Sequence, residues 1–189
     1  MKIYLTTALF MLMACAGFAQ STPAATENVL NEAYAKAAKE NKKVILIFHA
    51  SWCSWCRKME ASINDPLCSK MFDDNYVVAY LDVLERKGKE NLENPGSLDL
   101  LKKYKAEEKG LPYWLILDTK GKTLADSELR PDGVGLDKPG EGIGCPVTEK
   151  EVAYFVKILK ATSRLTDADL AVISTRFRKN EPVKTTGTN

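Results

Sequence analysis

The chain has 189 residues, a formal net charge of +2, 45% hydrophobic and 28% charged residues. This is the balance of a soluble globular domain, and the length suits one domain plus a leader and short ends. No basic stripe stands out, which argues against a nucleic-acid partner.

The N-terminus reads as a secretory signal over residues 1–19. Lys2 supplies the positive start, Ile3 to Ala14 an apolar stretch, and Gly17 and Ala19 a small-residue cleavage site before Gln20. A second reading stands beside it: Leu12-Met13-Ala14-Cys15 resembles a lipoprotein box, with lipid on Cys15. Met13 fits its position poorly, so plain export is favoured. Either route places the domain outside the cytoplasm, periplasmic or secreted, where disulfides persist.

Residues 20–26 form a Ser/Thr/Pro/Ala linker, and Thr26 is expected to cap a helix through about Asn41, with apolar Val29, Leu30, Ala33 and Ala37 at helical spacing. Val44-Ile45-Leu46-Ile47-Phe48 is too short for a helix and rich in β-branched residues, so it predicts a strand buried on both faces. Cys53-Ser54-Trp55-Cys56 follows, then a charged helix over 57–63. Pro66 suits the first turn of another helix through about Phe72. Strands are predicted over 76–83, 113–117 and 123–125, with a polar loop over 84–95 and a helix over 97–104. Residues 129–146, rich in glycine and proline, read as a long surface loop. Thr148 and Glu151 form a capping box for a helix through about Ala161, and a last helix spans 166–177. The globular domain thus covers 27–178, and 179–189 is expected to be a flexible tail.

Two residues between cysteines let the first turn of a helix bring both sulfurs into bonding range. The first sulfur then sits at the helix N-terminus, where unpaired N–H groups and the dipole stabilise a thiolate. Cys53 is therefore expected to be the nucleophile and Cys56 the resolving thiol. Zinc would need two further ligands, and Cys68, Cys145 and His49 form no second close pair, so no metal is expected.

The segment His49 to Met59, with Ala50-Ser51-Trp52-Cys53 and Cys56-Arg57-Lys58-Met59, together with Gly110-Leu111-Pro112 before a strand, resembles the thioredoxin superfamily, in particular its exported bacterial members. The resemblance follows element order from about Val29 to Ala161. It implies an α/β thioredoxin-like fold: a central mixed four-stranded sheet flanked by helices, here with an extra C-terminal helix. It also implies a thiol–disulfide oxidoreductase with no cofactor beyond the Cys53–Cys56 disulfide. Its partners would be protein disulfide substrates and a membrane or periplasmic redox protein that recharges the cysteines, and the chain is expected to be monomeric. Trp52, Trp55, Leu111 and Pro112 are the implied substrate contacts, and the Leu111–Pro112 bond is expected to be cis. Trp52 is expected to shield the pair, Trp55 to be exposed on the substrate face, and Trp114 to lie in the core.

One departure matters. Thioredoxins carry a buried Asp six residues before the first cysteine, and Ile47 stands there in this chain. The reduction potential of thioredoxin therefore does not transfer. Cys68 and Cys145 are expected to stay unpaired. The topology sends Cys68 away from the active-site edge and returns Cys145 to it. His49 and Lys58 are read as packing or solvated residues.

Overall fold

The computed structural model describes residues 22–182. The leader, the Cys15 alternative and residues 183–189 lie outside the described residues. Helix α1 (Thr26–Glu40) leads to β1 (Lys43–His49), then α2 (Ser54–Ile63), α3 (Ser69–Asn75) and β2 (Tyr76–Asp82). A 3-10 turn (Glu90–Leu92) and α4 (Ser97–Lys103) precede β3 (Tyr113–Leu117) and β4 (Thr123–Asp126). A small ribbon of β5 (Glu128–Leu129) and β6 (Glu141–Gly142) follows, then α5 (Glu149–Thr162) and α6 (Asp167–Arg178).

The main sheet has the order β2-β1-β3-β4. β1 and β2 are parallel, and β3 runs antiparallel to β1 and to β4. The sheet is therefore mixed, as expected. Its two faces carry two cores, because strand side chains alternate. Ile45, Ile47, Trp114 and Ile116 face α2, α3, α5 and α6, where Met59, Phe72, Phe155 and Phe177 are fully buried. Val44, Leu46, Phe48, Tyr113 and Leu115 face α1 and α4, against Ala33, Ala37 and Leu101. The helical layers on both faces explain why β1 reads as an unbroken apolar run.

The caps follow the sequence at the C-terminal end. Thr148 and Thr166 each cap their helix reciprocally with Glu151 and Asp169. Thr26 departs from its expected role. It is the first helical residue, Ala25 occupies the cap position, and no side chain caps the helix. Tertiary packing claims Thr26 instead: its N–H donates to Pro95 carbonyl at 2.9 Å, and the residue is buried beside Gly96. The Pro66 helix also starts later than expected, at Ser69, because Asp65 first organises a turn by accepting from Leu67 N–H at 3.0 Å.

Two loop expectations need correction. The 129–146 stretch is exposed over 131–139 and at Glu141 and Gly142, but Arg130, Ile143, Cys145 and Pro146 are buried, as is Val147 just after it. Arg130, 8% exposed, accounts for this. Its guanidinium binds Asp126 through two N–H···O contacts of 2.6 and 3.1 Å, and Lys109 joins Glu128 at 3.0 Å beside it. The start of the tail is likewise held. Asn180 donates to Ser62 Oγ at 2.7 Å and accepts from Arg176 at 3.2 Å.

Candidate active site

β1 ends at His49, and the chain turns through Ala50, Ser51 and Trp52 into α2. Cys53 N–H closes that turn on Ala50 carbonyl at 3.0 Å. Cys53 is thereby the N-cap of α2, and its Sγ accepts from Cys56 N–H at 3.0 Å. Cys53 and Cys56 form a disulfide with Cα atoms 5.3 Å apart. Both are buried, 3% and 5% exposed. The two-residue spacing therefore does what its geometry promised: one helical turn carries both sulfurs.

The cover over the pair comes from two of the expected contact residues. Trp55 and Leu111 pack on the cluster of Ala50, Cys53 and Cys56. Trp55 is half-buried rather than exposed, since its ring also packs on the main core and Lys58 Nζ lies 4.1 Å from its centroid. That contact corrects Lys58 as well: it is half-buried, not a freely solvated helix residue. Trp52 is 40% exposed, and its indole N–H donates to Leu84 carbonyl at 2.8 Å, with Arg86 over its ring. Leu111–Pro112 is cis, as expected, and Pro112 is buried at the entry to β3. Gly144 backs this loop: a Cβ there would sit 3.7 Å from Pro112 Cδ.

Trp114 lies in the core as expected, fully buried. Ile47 is buried on the α2 face of the sheet, so the position of the absent aspartate is apolar. His49 packs against Tyr80 with tilted rings whose centroids are 5.2 Å apart, and its Nε2 lies 3.3 Å from Asp82 Oδ1. Burial raises the Asp82 pKa, and His49 opposes that rise.

Cys68 and Cys145 are free and buried. Cys145 follows Gly144 and so sits on the Pro112 side. Burial pushes its thiol up to about 12, against a smaller opposing effect of Lys58. Burial also raises the Cys68 thiol.

One residue beside the pair was not legible beforehand. Glu85, in a loop that reads only as polar, accepts from Ser51 N–H at 2.5 Å and Ser51 Oγ at 2.8 Å. Its partner lies 34 positions away, so no local spacing signals the contact.

Residues 25–119 match the model of the thioredoxin-like family, a span that holds the cysteine pair and Pro112. No curated protein sequence matches the chain. A solved disulphide isomerase from Xylella fastidiosa Temecula1 is similar at 17% identity and a TM-score of 0.48, over 82% of this chain and 91% of that one. DsbH oxidoreductase is similar at 24% identity and a TM-score of 0.43, over 69% and 79%. The oxidised C-terminal domain of Neisseria meningitidis DsbD is similar at 24% identity and a TM-score of 0.38, over 55% and 84%. The family match spans half of the sequence and the fold agrees with it; with its Cys53–Cys56 disulfide, the chain belongs to the thioredoxin-like family and is a thiol–disulfide oxidoreductase.

Proposed function

We propose that this protein reduces disulfides of exported proteins, with Cys53 as the attacking thiolate and Cys56 as the resolving thiol. The observation that carries the assignment is the position of Cys53 as N-cap of α2, with Cys56 N–H aimed at its sulfur at 3.0 Å. That N–H and the helix dipole favour negative charge on Cys53.

The reaction starts from the reduced pair. Cys53 thiolate attacks a substrate disulfide, a Cys53–substrate bond forms, and one substrate sulfur leaves as a thiolate that takes a proton. Cys56 then attacks Cys53, the second substrate sulfur leaves, and the Cys53–Cys56 disulfide forms. The substrate gains two electrons and two protons. A dithiol partner must return two electrons for the next cycle, and a membrane or periplasmic redox protein suits an exported enzyme. Leu111 and Pro112 would present backbone to an extended substrate segment, and Trp52 and Trp55 would flank it.

The motif itself supports the reducing direction. Neither Ser54 nor Trp55 carries a positive charge, so the motif lacks a cation of its own to stabilise the thiolate. Strong oxidants owe their potential to a highly stabilised reduced form. The apolar, basic-start leader of residues 1–19 supports an extracytoplasmic setting.

Insulin reduction with a dithiol donor tests this reading. The wild type should turn over, and Cys53→Ser should not. A wild type that binds but never reduces protein disulfides would make the chain a binding module. Equilibration with glutathione gives the direction. A potential near that of DsbA, about −120 mV, would make it an oxidase.

A further inference from the structure

The turn that delivers Cys53 is gripped from outside. Ser51 has three backbone or side-chain polar groups, and each is engaged. Its N–H and hydroxyl both donate to Glu85, one to each carboxylate oxygen, at 2.5 and 2.8 Å. Its carbonyl accepts from Arg57 Nη1 at 2.9 Å. The adjacent Trp52 is tied to the residue before Glu85, through Leu84 carbonyl.

Glu85 is itself braced. Its N–H donates to Glu93 Oε1 at 2.8 Å. Asn94 next to Glu93 exchanges hydrogen bonds with Asp82 at the end of β2: Asp82 N–H donates to Asn94 Oδ1 at 2.7 Å, and Asn94 N–H donates to Asp82 carbonyl at 3.1 Å. Ser97 Oγ donates to the same carbonyl at 2.8 Å. The 83–96 loop is thus closed at its base, and Glu85 projects from a fixed frame. Leu84 adopts a positive φ of 56°, an uncommon conformation for leucine that turns the chain at this point.

We propose that Glu85 is a positioning residue for the nucleophile, holding Ser51 so that Cys53 stays at the N-terminus of α2 when no disulfide secures it. The inference rests on the assignment of Cys53 as the attacking thiol. In the oxidised protein the bond to Cys56 already fixes Cys53, so the clamp is redundant there. In the reduced protein and in the mixed disulfide that bond is absent. A single residue, Trp52, then separates Cys53 from a pinned Ser51, and the clamp limits how far Cys53 drifts from Cys56 N–H. Pre-organisation of this kind keeps a reacting atom in its working geometry without reorganisation at each cycle.

The charged and titratable groups around the turn are Glu85, Arg86, Glu93 and Asp82 from β2 and its loop, His49 at the end of β1 beside Asp82, and Arg57 from α2. Position and charge predict opposite outcomes, which makes the test decisive. Loss of the clamp raises the Cys53 thiol pKa, because the thiolate spends less time at the helix N-terminus. Loss of a carboxylate charge alone lowers it. Glutamine in place of Glu85 keeps the clamp: its carbonyl accepts from Ser51 N–H and its amide donates to Ser51 Oγ.

The experiment measures the Cys53 thiol pKa by thiolate absorbance and alkylation rate in the reduced full-length domain, for wild type, Glu85→Ala and Glu85→Gln. Glu85→Ala should raise the pKa by about one unit and slow alkylation near neutral pH by about tenfold. Glu85→Gln should restore a rate within about twofold of wild type. Unfolding of the oxidised Glu85→Ala protein, compared with its reduced form, shows whether the variant folds and should reveal a larger loss in the reduced state. Faster alkylation in both variants would show that Glu85 acts through charge and would overturn the proposal. Unchanged pKa in both, or equal loss of stability in both redox states with no change in pKa, would overturn it too. If Cys53→Ser retains insulin reduction, the assignment of the nucleophile fails instead, and that result is separate from the Glu85 comparison.

Discussion

The indole N–H of Trp114 donates to the carbonyl of Gly144 at 2.7 Å. This bond joins the start of β3 to the segment that backs Pro112, so the main core and the substrate side of the site are mechanically linked. Trp114 also meets Phe155 edge-on at 5.2 Å. Trp114→Phe keeps an aromatic ring but removes the donor and leaves Gly144 carbonyl without it. Urea unfolding should show a loss of about 2–4 kcal/mol, combining a lost buried hydrogen bond with incomplete filling of the indole volume. A loss under half of that range would mean that the 144–145 segment repacks freely.

Arg130 should behave as a buried ionic staple. Its side chain and those of Asp126 and Glu128 are nearly inaccessible. Arg130→Met leaves two buried carboxylates with only Lys109 nearby, and should cost about 3–5 kcal/mol. The double change Arg130→Met with Asp126→Leu should recover a large part of that loss, since removing both partners avoids an orphaned charge. Thermal or urea unfolding of the two variants checks the order. Equal losses would contradict the pairing.

Cys145 should give the protein an alkaline stability limit. Its thiol is raised by burial from an ordinary 9.0 to about 12. The folded state therefore holds this proton more tightly than the unfolded chain. The sign follows: the contribution is complete below pH 9 and is lost as pH rises toward 12. The slope is about 1.4 kcal/mol per pH unit inside that window. Tyrosines titrate there too, so the comparison is between wild type and Cys145→Ala. The difference in stability between them should change steadily over that range and stay flat below it. In the reduced native protein neither Cys145 nor Cys68 should label with iodoacetamide near neutral pH.

Leu111 covers the disulfide together with Trp55. Leu111→Ala opens that cover. Stability should fall by about 1–2 kcal/mol, less than for a fully buried leucine because Leu111 is half-buried. Reduction of the Cys53–Cys56 bond by a small thiol should become faster, while exchange with a protein substrate should become slower. Stopped-flow measurements with both reductants separate access from substrate contact. An equal effect on the two would show that Leu111 serves only as a lid.

Much of this protein is specified locally. The apolar run Val44–Phe48, the capping boxes at Thr148 and Thr166, the hairpin around Gly121 and the Cys53–Cys56 spacing all express rules that act within a few residues. The order of elements, read with the family resemblance, likewise pointed to a mixed four-stranded sheet. Interactions across long sequence separations decided the rest. Glu85 finds Ser51 because β1 and β2 are parallel neighbours whose ends lie side by side. Arg130 pairs with its near neighbours Asp126 and Glu128, but the cluster is closed from afar by Lys109 on Glu128, though its flanks read as open loop. Asn180 is held because α2 and α6 pack together and bring Ser62 to it. Thr26 is drawn out of the cap position for the same reason, its N–H donating to Pro95 carbonyl. Secondary structure and the redox pair depend on periodicity and short-range geometry, which a sequence displays directly. The brace around the pair depends on which chain ends the sheet sets next to each other, and that is decided only when the chain folds.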